Sequence, residues 1–493
     1  MNLPADLDRW RGQIEGYARE YGLDFYDVVF EVVDYDQLNE VAAYGGFPTR
    51  YPHWRFGMEY EELAKSYSYG LSKIYELVVN NNPVYAYLMK ANSALEQKLV
   101  MAHVFGHADF FKNSLWFRET NRRMIDAMAN HATRVRHQID RHGVEAVEDF
   151  IDACLSLENL IDHHGDFIER REKPTFPPEG VDAEPSPVPR LPSKGYMDRY
   201  INPPAFLEEQ KARQSEKAQR KRRVPDEPRR DVLQFLLEQA PLENWERDIL
   251  SIVRAEAYYF APQGMTKVLN EGWAAFWHAT IMTQRAMDDS EVVDFADHHS
   301  GALAMSPGRL NPYKIGIELL REIEDRWNKG KFGKEYEECD DIEARRRWDR
   351  KLGLGRQKIF EVRRIYNDVT FIDDFLNEDF CERLKLYVYG YDSRSARYVV
   401  VSKDWRKVKE KLLFSLTNLG QPLIDVVDAN YSNRGELYLK HRFEGVGLDV
   451  ENAKDTLKNL HRLWRRPVHL ETVEEGRDRL LSFDGAEHKV TRL

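Results

Sequence analysis

The chain has 493 residues, with 72 Lys and Arg against 83 Asp and Glu, a formal net charge of −11. At about 150 residues per domain this length predicts three domains, or one large domain with satellites. The acidic balance argues against a general nucleic-acid binder, and a hydrophobic fraction of 42 % excludes general disorder. The three cysteines, Cys154, Cys339 and Cys381, are far apart and build no disulfide framework or Cys-based zinc module. No basic n-region precedes an apolar stretch at the N-terminus, and no 18-residue apolar run occurs, so a soluble cytoplasmic protein is expected.

Residues 1–169 read mostly helical. Trp10, Ile14 and Tyr17 repeat at helical spacing, as do Leu63, Tyr67, Leu71 and Ile74 within 59–79. Asn80-Asn81-Asn82-Pro83 stops that helix, and 92–112 and 118–141 extend the pattern. Residues 170–230 then interrupt it with 11 of the 21 prolines, followed by seven basic residues and one acidic residue in 210–223. Proline removes a donor and fixes φ, so this stretch reads as a solvated, partly disordered insertion, or as a docking arm for an acidic partner or nucleic acid. Helix resumes over 231–289, with Asp231 as N-cap, and again over 313–327. After about 355 the period changes. Segments 386–391, 397–401, 423–428 and 437–441 are β-rich, with helical stretches 403–418 and 449–464 between them.

Two segments carry the chemistry. His103-Val-Phe-Gly-His107 places two imidazoles one turn apart on one helical face, where both can reach one metal at about 2.0–2.1 Å. Glu96 lies seven residues earlier on that face, and Asp109 follows closely. In the second segment, Asn270-Glu271-Gly-Trp-Ala274 leads to His278, again seven residues from its carboxylate. The pair resembles the gluzincin branch of zinc metallopeptidases. There His-Glu-x-x-His gives two ligands, and Asn-Glu-Gly-x-Ala on a second helix gives the third. Here Val104 stands where the general-base Glu belongs. Valine can neither polarise a metal-bound water nor carry its proton.

The reading therefore has His103, His107 and Glu271 as metal ligands and His278 as a fourth ligand or a supporting group. Glu96 or His131 stands in for the missing base. Two histidines and one carboxylate suit zinc, with iron or manganese chemically acceptable. The competing reading makes both histidines satisfied core residues beside aromatics. His53 and Glu59, in the dense Tyr51–Tyr60 stretch, could also face a pocket, and His298-His299 precede a turn-rich loop that enters the 313–327 helix. No Walker loop, dinucleotide fingerprint or Gly-x-Ser-x-Gly is found.

Tyr51-Pro-His-Trp-Arg-Phe-Gly-Met58, the stretch His103–Phe117, Cys154-Leu-Ser-Leu-Glu-Asn-Leu160, Asn270–Ala274 and Asn311-Pro-Tyr-Lys314 together resemble the SpoVR family, named for stage V sporulation protein R. The resemblance spans nearly the whole chain. It implies a cytoplasmic protein associated with spore cortex. In bacteria that never sporulate, it implies a stress protein accompanying a PrkA-type serine kinase and a von Willebrand factor A-like protein. It implies no agreed activity.

The expected architecture is mainly α. A zincin-like helical core with the Pro-rich insertion at 170–230 occupies 1–355, and a smaller α+β domain with a mainly antiparallel sheet occupies 356–493. Two functions are expected from it: a metal-dependent hydrolase of an amide or peptide, conceivably a cell-wall fragment, or a non-catalytic scaffold regulating the kinase module.

Overall fold

A computed structural model describes residues 3–68, 76–168, 197, 200, 202–220, 224–307, 309–394 and 397–493. The protein is mainly helical, with a small C-terminal sheet. The chain divides into two compact units. The first joins Met1–Glu148 to Tyr258–Gln421, and the second joins Asp149–Ala257 to Pro422–Leu493. Residues 356–421, expected with the C-terminal domain, group with the first unit. His103, His107 and Glu271 share that unit although 163 positions separate His107 from Asn270.

In the first unit a three-stranded sheet of order β1-β3-β2 adds strands to an N-terminal third expected to be mostly helical. Its strands are β1 (Val28–Val33), β2 (Glu76–Val79) and β3 (Val84–Met89). β1 runs parallel to β3, and β2 antiparallel. Val28-Val-Phe-Glu-Val-Val33 is rich in β-branched residues, which favour a strand, and of its side chains Phe30 is buried. The helical repeat over 59–79 extends to Leu77–Val79. The helix there is Trp54–Ser68, and Glu76–Val79 pair with β3 instead.

Three helices make the centre of this unit. The His103 helix, Ala94–Asn113, starts on a capping box: Ser93 accepts the Glu96 N–H, and Glu96 accepts the Ser93 N–H. Sixteen of its twenty residues are buried, polar ones such as His103, His107 and Asp109 among them, so every face of this helix is covered, as in a central helix. The Glu271 helix, Lys267–Ile281, is buried from Val268 to Ala279. The Tyr313 helix, Pro312–Lys329, has an amphipathic pattern and an Asn311 N-cap that accepts the Lys314 N–H, and it ends at Gly330 with φ +69°. The unit also carries a two-stranded ribbon, β4 (Val388–Asp392) and β5 (Arg397–Ser402).

The second unit is built on a five-stranded sheet of order β10-β9-β8-β7-β6. Its strands are β6 (Ile424–Tyr431), β7 (Glu436–His441), β8 (Val468–Glu474), β9 (Arg477–Phe483) and β10 (His488–Arg492). Only β7–β8 is parallel, and the helix Val450–Trp464 makes that crossover, burying Leu457, Leu460 and Leu463. The sequence reading found β6 and β7 but not β8–β10. Within the Pro-rich stretch, Pro204–Arg220 is helical, where a solvated insertion was expected. A Pro at the first turn costs no hydrogen bond, and Leu207 to Arg220 contains no further Pro. The prolines from Pro174 to Pro192 lie outside the described residues.

Candidate metal centre

The centre forms where the His103 and Glu271 helices touch with almost no side chain between them. A Cβ built on Gly106 would stand 2.7 Å from Ala274 Cα. A Cβ on Gly272 would collide with the Gly316 backbone, and one on Gly316 with the Val268 carbonyl. Gly106, Gly272, Ala274 and Gly316 therefore let three helices meet at backbone contact, and the side chains one position away face each other across the seam.

Each residue of Asn270–Ala274 then has a specific contact. Asn270 Oδ1 lies 2.9 Å from His107 Nδ1. Glu271 Oε2 lies 3.5 Å from His103 Nε2 and 3.4 Å from His107 Nε2. Gly272 meets Gly316, Trp273 Nε1 donates to Asp109 Oδ2 at 2.9 Å, and Ala274 meets Gly106.

His103, His107 and Glu271 are all buried, and their ligand atoms lie within 4.8 Å of one another. The 3.4–3.5 Å separations are long for hydrogen bonds. They match the ligand–ligand edge of a tetrahedral ion, about 3.3 Å for metal–ligand bonds of about 2.0–2.1 Å. Glu271 Oε2 is a buried acceptor with no hydrogen-bond partner, and leaving such an oxygen unmatched costs about 1–3 kcal/mol or more. Its other oxygen accepts from Lys267 Nζ at 2.6 Å. Burial opposes ionisation of Glu271, but His107, His103 and Lys267 outweigh it and hold the carboxyl well below the usual range. The three side chains thus present an anionic oxygen and two imidazole nitrogens to one point, and they fit a divalent ion.

The surrounding groups fix orientation. The Asn270 carbonyl oxygen can only accept, so it assigns the proton to His107 Nδ1 and leaves Nε2 as a lone pair facing Glu271. His103 Nδ1 meets His278 Nδ1 at 2.8 Å, which puts His278 behind His103, opposite the nitrogen that faces Glu271. His278 Nε2 in turn lies 3.4 Å from His299 Nδ1, and His299 stacks on Phe295. Burial first, and then His103, push His278 well below the usual imidazole range. The Tyr313 ring stacks against His103 with centroids 6.0 Å apart, and His107 stacks on Phe111 at the same spacing. Asp368 accepts the Val268 and Leu269 N–H groups at 2.8 and 2.9 Å, satisfying first-turn donors of the Glu271 helix.

The other residues singled out from the sequence fall elsewhere. Glu96 spends Oε2 on the Ser93 N–H and has Oε1 3.7 Å from His298 Nε2. Two helical turns, about 10 Å of rise, separate it from His103. His131 is buried on a different helix, Met124–His142, outside the three-residue group. Val104 is fully buried. His53 Nδ1 accepts the Arg55 N–H, and Glu59 pairs with Arg55. His298 and His299 lie near the end of a helix, Val292–Ala302, ahead of the segment that leads to the helix Pro312–Lys329. The sequence reading passed over the orienting role of Asn270, the Lys267 contact and Asp368. Asn270 and Lys267 lie one residue and one turn from Glu271, so the helical period could have indicated them. Asp368 carries no local signal.

The chain belongs to the SpoVR family. Residues 2–421 match the family model described as SpoVR like protein, and residues 422–475 match the SpoVR-like C-terminal domain. The two models meet where the second unit resumes, at Pro422. The chain is 30 % identical to "Uncharacterized protein YcgB" of Escherichia coli (strain K12), over 95 % of this chain and 92 % of that protein. No solved structure matches. Among the described residues no helix is long and apolar enough to cross a membrane.

Proposed function

We propose that the first unit is a zincin-like metal centre in which His103, His107 and Glu271 hold a divalent ion, zinc in the first instance, for hydrolysis of an amide or peptide. The observation that carries this reading is the unmatched, buried Glu271 Oε2 held 3.4–3.5 Å from two imidazole nitrogens. When bound, the ion would supply Lewis acidity and an acidified water. The chain's own part is orientation. Asn270 sets the His107 tautomer, His278 backs His103, and Lys267 holds Glu271 Oε1 so that Oε2 faces inward. Three protein ligands leave a fourth position open, as catalytic zinc sites do. Glu96 and His131 stand as the candidate proton acceptors by residue type, and from two helical turns away and a different helix each would have to act through intervening water. A cell-wall fragment is the first substrate to try, in a cytoplasmic setting.

Val104 favours a second reading. With Val104 in place of the usual Glu, the centre would be a structural metal site in a scaffold that regulates a PrkA-type serine kinase and a von Willebrand factor A-like protein. Elemental analysis of the purified full chain tests the shared premise: one divalent ion per chain is expected, and none after His103→Ala or Glu271→Gln. Metal-free wild type, purified without chelator, overturns both forms of the proposal. Metal-dependent release of amine from peptide or cell-wall fragments then separates hydrolase from scaffold.

A further inference from the structure

β5 reads Arg397-Tyr-Val-Val-Val-Ser402, and each residue from Arg397 to Val401 is exposed. Tyr398 is 56 % exposed and Val401 67 %, with Val399 and Val400 above 40 %. Successive side chains of a strand point to opposite faces, so apolar groups stand on both faces of β5. Exposed edges are normally blunted by Pro, inward charges or Lys within the strand, and Tyr398–Val401 holds none. Among the described residues β5 pairs with β4 alone, which leaves its far edge open to another strand. The surroundings are basic. Residues 387–411 hold seven basic and three acidic side chains, within a chain of net charge −11. Exposed Arg397 and Lys403 flank the apolar run.

We propose that β5 is a docking edge for an extended acidic segment of a partner protein, added as a third strand of the β4–β5 ribbon. Backbone hydrogen bonds to β5 hold the segment in register. Its apolar side chains cover Tyr398–Val401, and its carboxylates meet Arg397 and Lys403. Two other occupants fit less well. A bilayer interior cannot satisfy the backbone groups of an open sheet edge. In a second copy paired antiparallel about Val400, Arg397 would face Lys403 of the other chain, so like charges would meet. The inference is independent of the metal centre.

The test uses the full chain and a fluorescein-labelled peptide alternating Val with Glu, with a Val/Lys peptide as control. Anisotropy is expected to show the Glu peptide binding at least about tenfold more tightly than the Lys peptide, with affinity falling as salt rises. Arg397→Glu with Lys403→Glu is expected to reverse the preference, and the Arg397–Ser402 amides are expected to exchange more slowly in the complex. Equal affinity for both peptides, no binding, or indifference to charge reversal overturns the proposal. Amide protection that grows with protein concentration alone assigns the edge to a second copy, and binding to phosphatidylglycerol vesicles without peptide binding assigns it to a membrane. Either result also overturns it. If the double variant fails to fold, the two-peptide comparison on wild type still decides.

Discussion

Gly106 and Ala274 meet backbone to backbone: a Cβ on Gly106 would lie 2.7 Å from Ala274 Cα. This contact sets the distance between the two imidazoles of one helix and the carboxylate of the other. Gly106→Ala is expected to push the helices apart by a few tenths of an ångström or more, at about 1–3 kcal/mol in stability. It should also weaken metal retention, although no ligand is changed. Thermal melting and metal content of the variant check both effects. A variant with wild-type metal affinity would separate packing from ligation.

Metal removal should destabilise the first unit selectively. An ion bound only to the folded state adds about 2.7 kcal/mol at a hundredfold excess over its dissociation constant. Chelated wild type is therefore expected to melt lower than metal-loaded wild type. His107→Ala is expected to melt at the same temperature with and without zinc. Paired calorimetric scans measure this, and equal shifts in both proteins would place the metal elsewhere.

Asn270→Ala removes the acceptor that orients His107, which otherwise sits 2.9 Å from Asn270 Oδ1. Such partners of metal-binding histidines are typically worth about 10- to 100-fold in metal affinity. The variant is expected to lose affinity in that range while keeping its helical circular dichroism. Competition with a chromophoric chelator reads the change, and Asn270→Asp, which restores an acceptor, should recover most of it.

Asp368 links pH to the placement of the Glu271 helix. Burial pushes its carboxyl up to about 7, against the Val268 and Leu269 N–H groups that favour the charged form. An unfolded Asp titrates near about 3.9, so between about pH 4 and 7 the folded state holds a proton that the unfolded state has released. Stability from this group is therefore present at acid pH and falls as pH rises to about 7, by up to about 1.4 kcal/mol per pH unit. Asp368→Asn keeps one acceptor and removes the titration. In the presence of chelator, its stability relative to wild type should improve from pH 5 to pH 8. Urea denaturation at both pH values checks this, and a pH-independent difference would assign Asp368 an unshifted pKa.

Much of the centre was legible before the fold. His103 and His107 share a face because helices repeat every 3.6 residues, and Asn270–Ala274 stands out as a motif. The buried group that could hold an ion is made of those residues. The helix Ala94–Asn113 lies within two residues of its expected bounds, and Lys267–Ile281 lies inside the longer stretch 231–289, which the structure divides into several helices. Strands fared worse. Leu77–Val79 continued an apolar helical repeat, and only pairing with β3, supplied from elsewhere in the chain, makes it a strand. Likewise β8–β10 exist through their pairing with one another and with β7.

Residue type and local spacing thus decide which groups can ligate, because a helical face is a property of a few consecutive residues. They cannot say what stands behind each ligand. That His278 backs His103 instead of facing Glu271, that Glu96 closes its own helix start, and that Asp368 serves a helix nearly a hundred residues away depend on how helices cross. That crossing is set by glycines whose missing Cβ atoms matter only when another backbone lies against them.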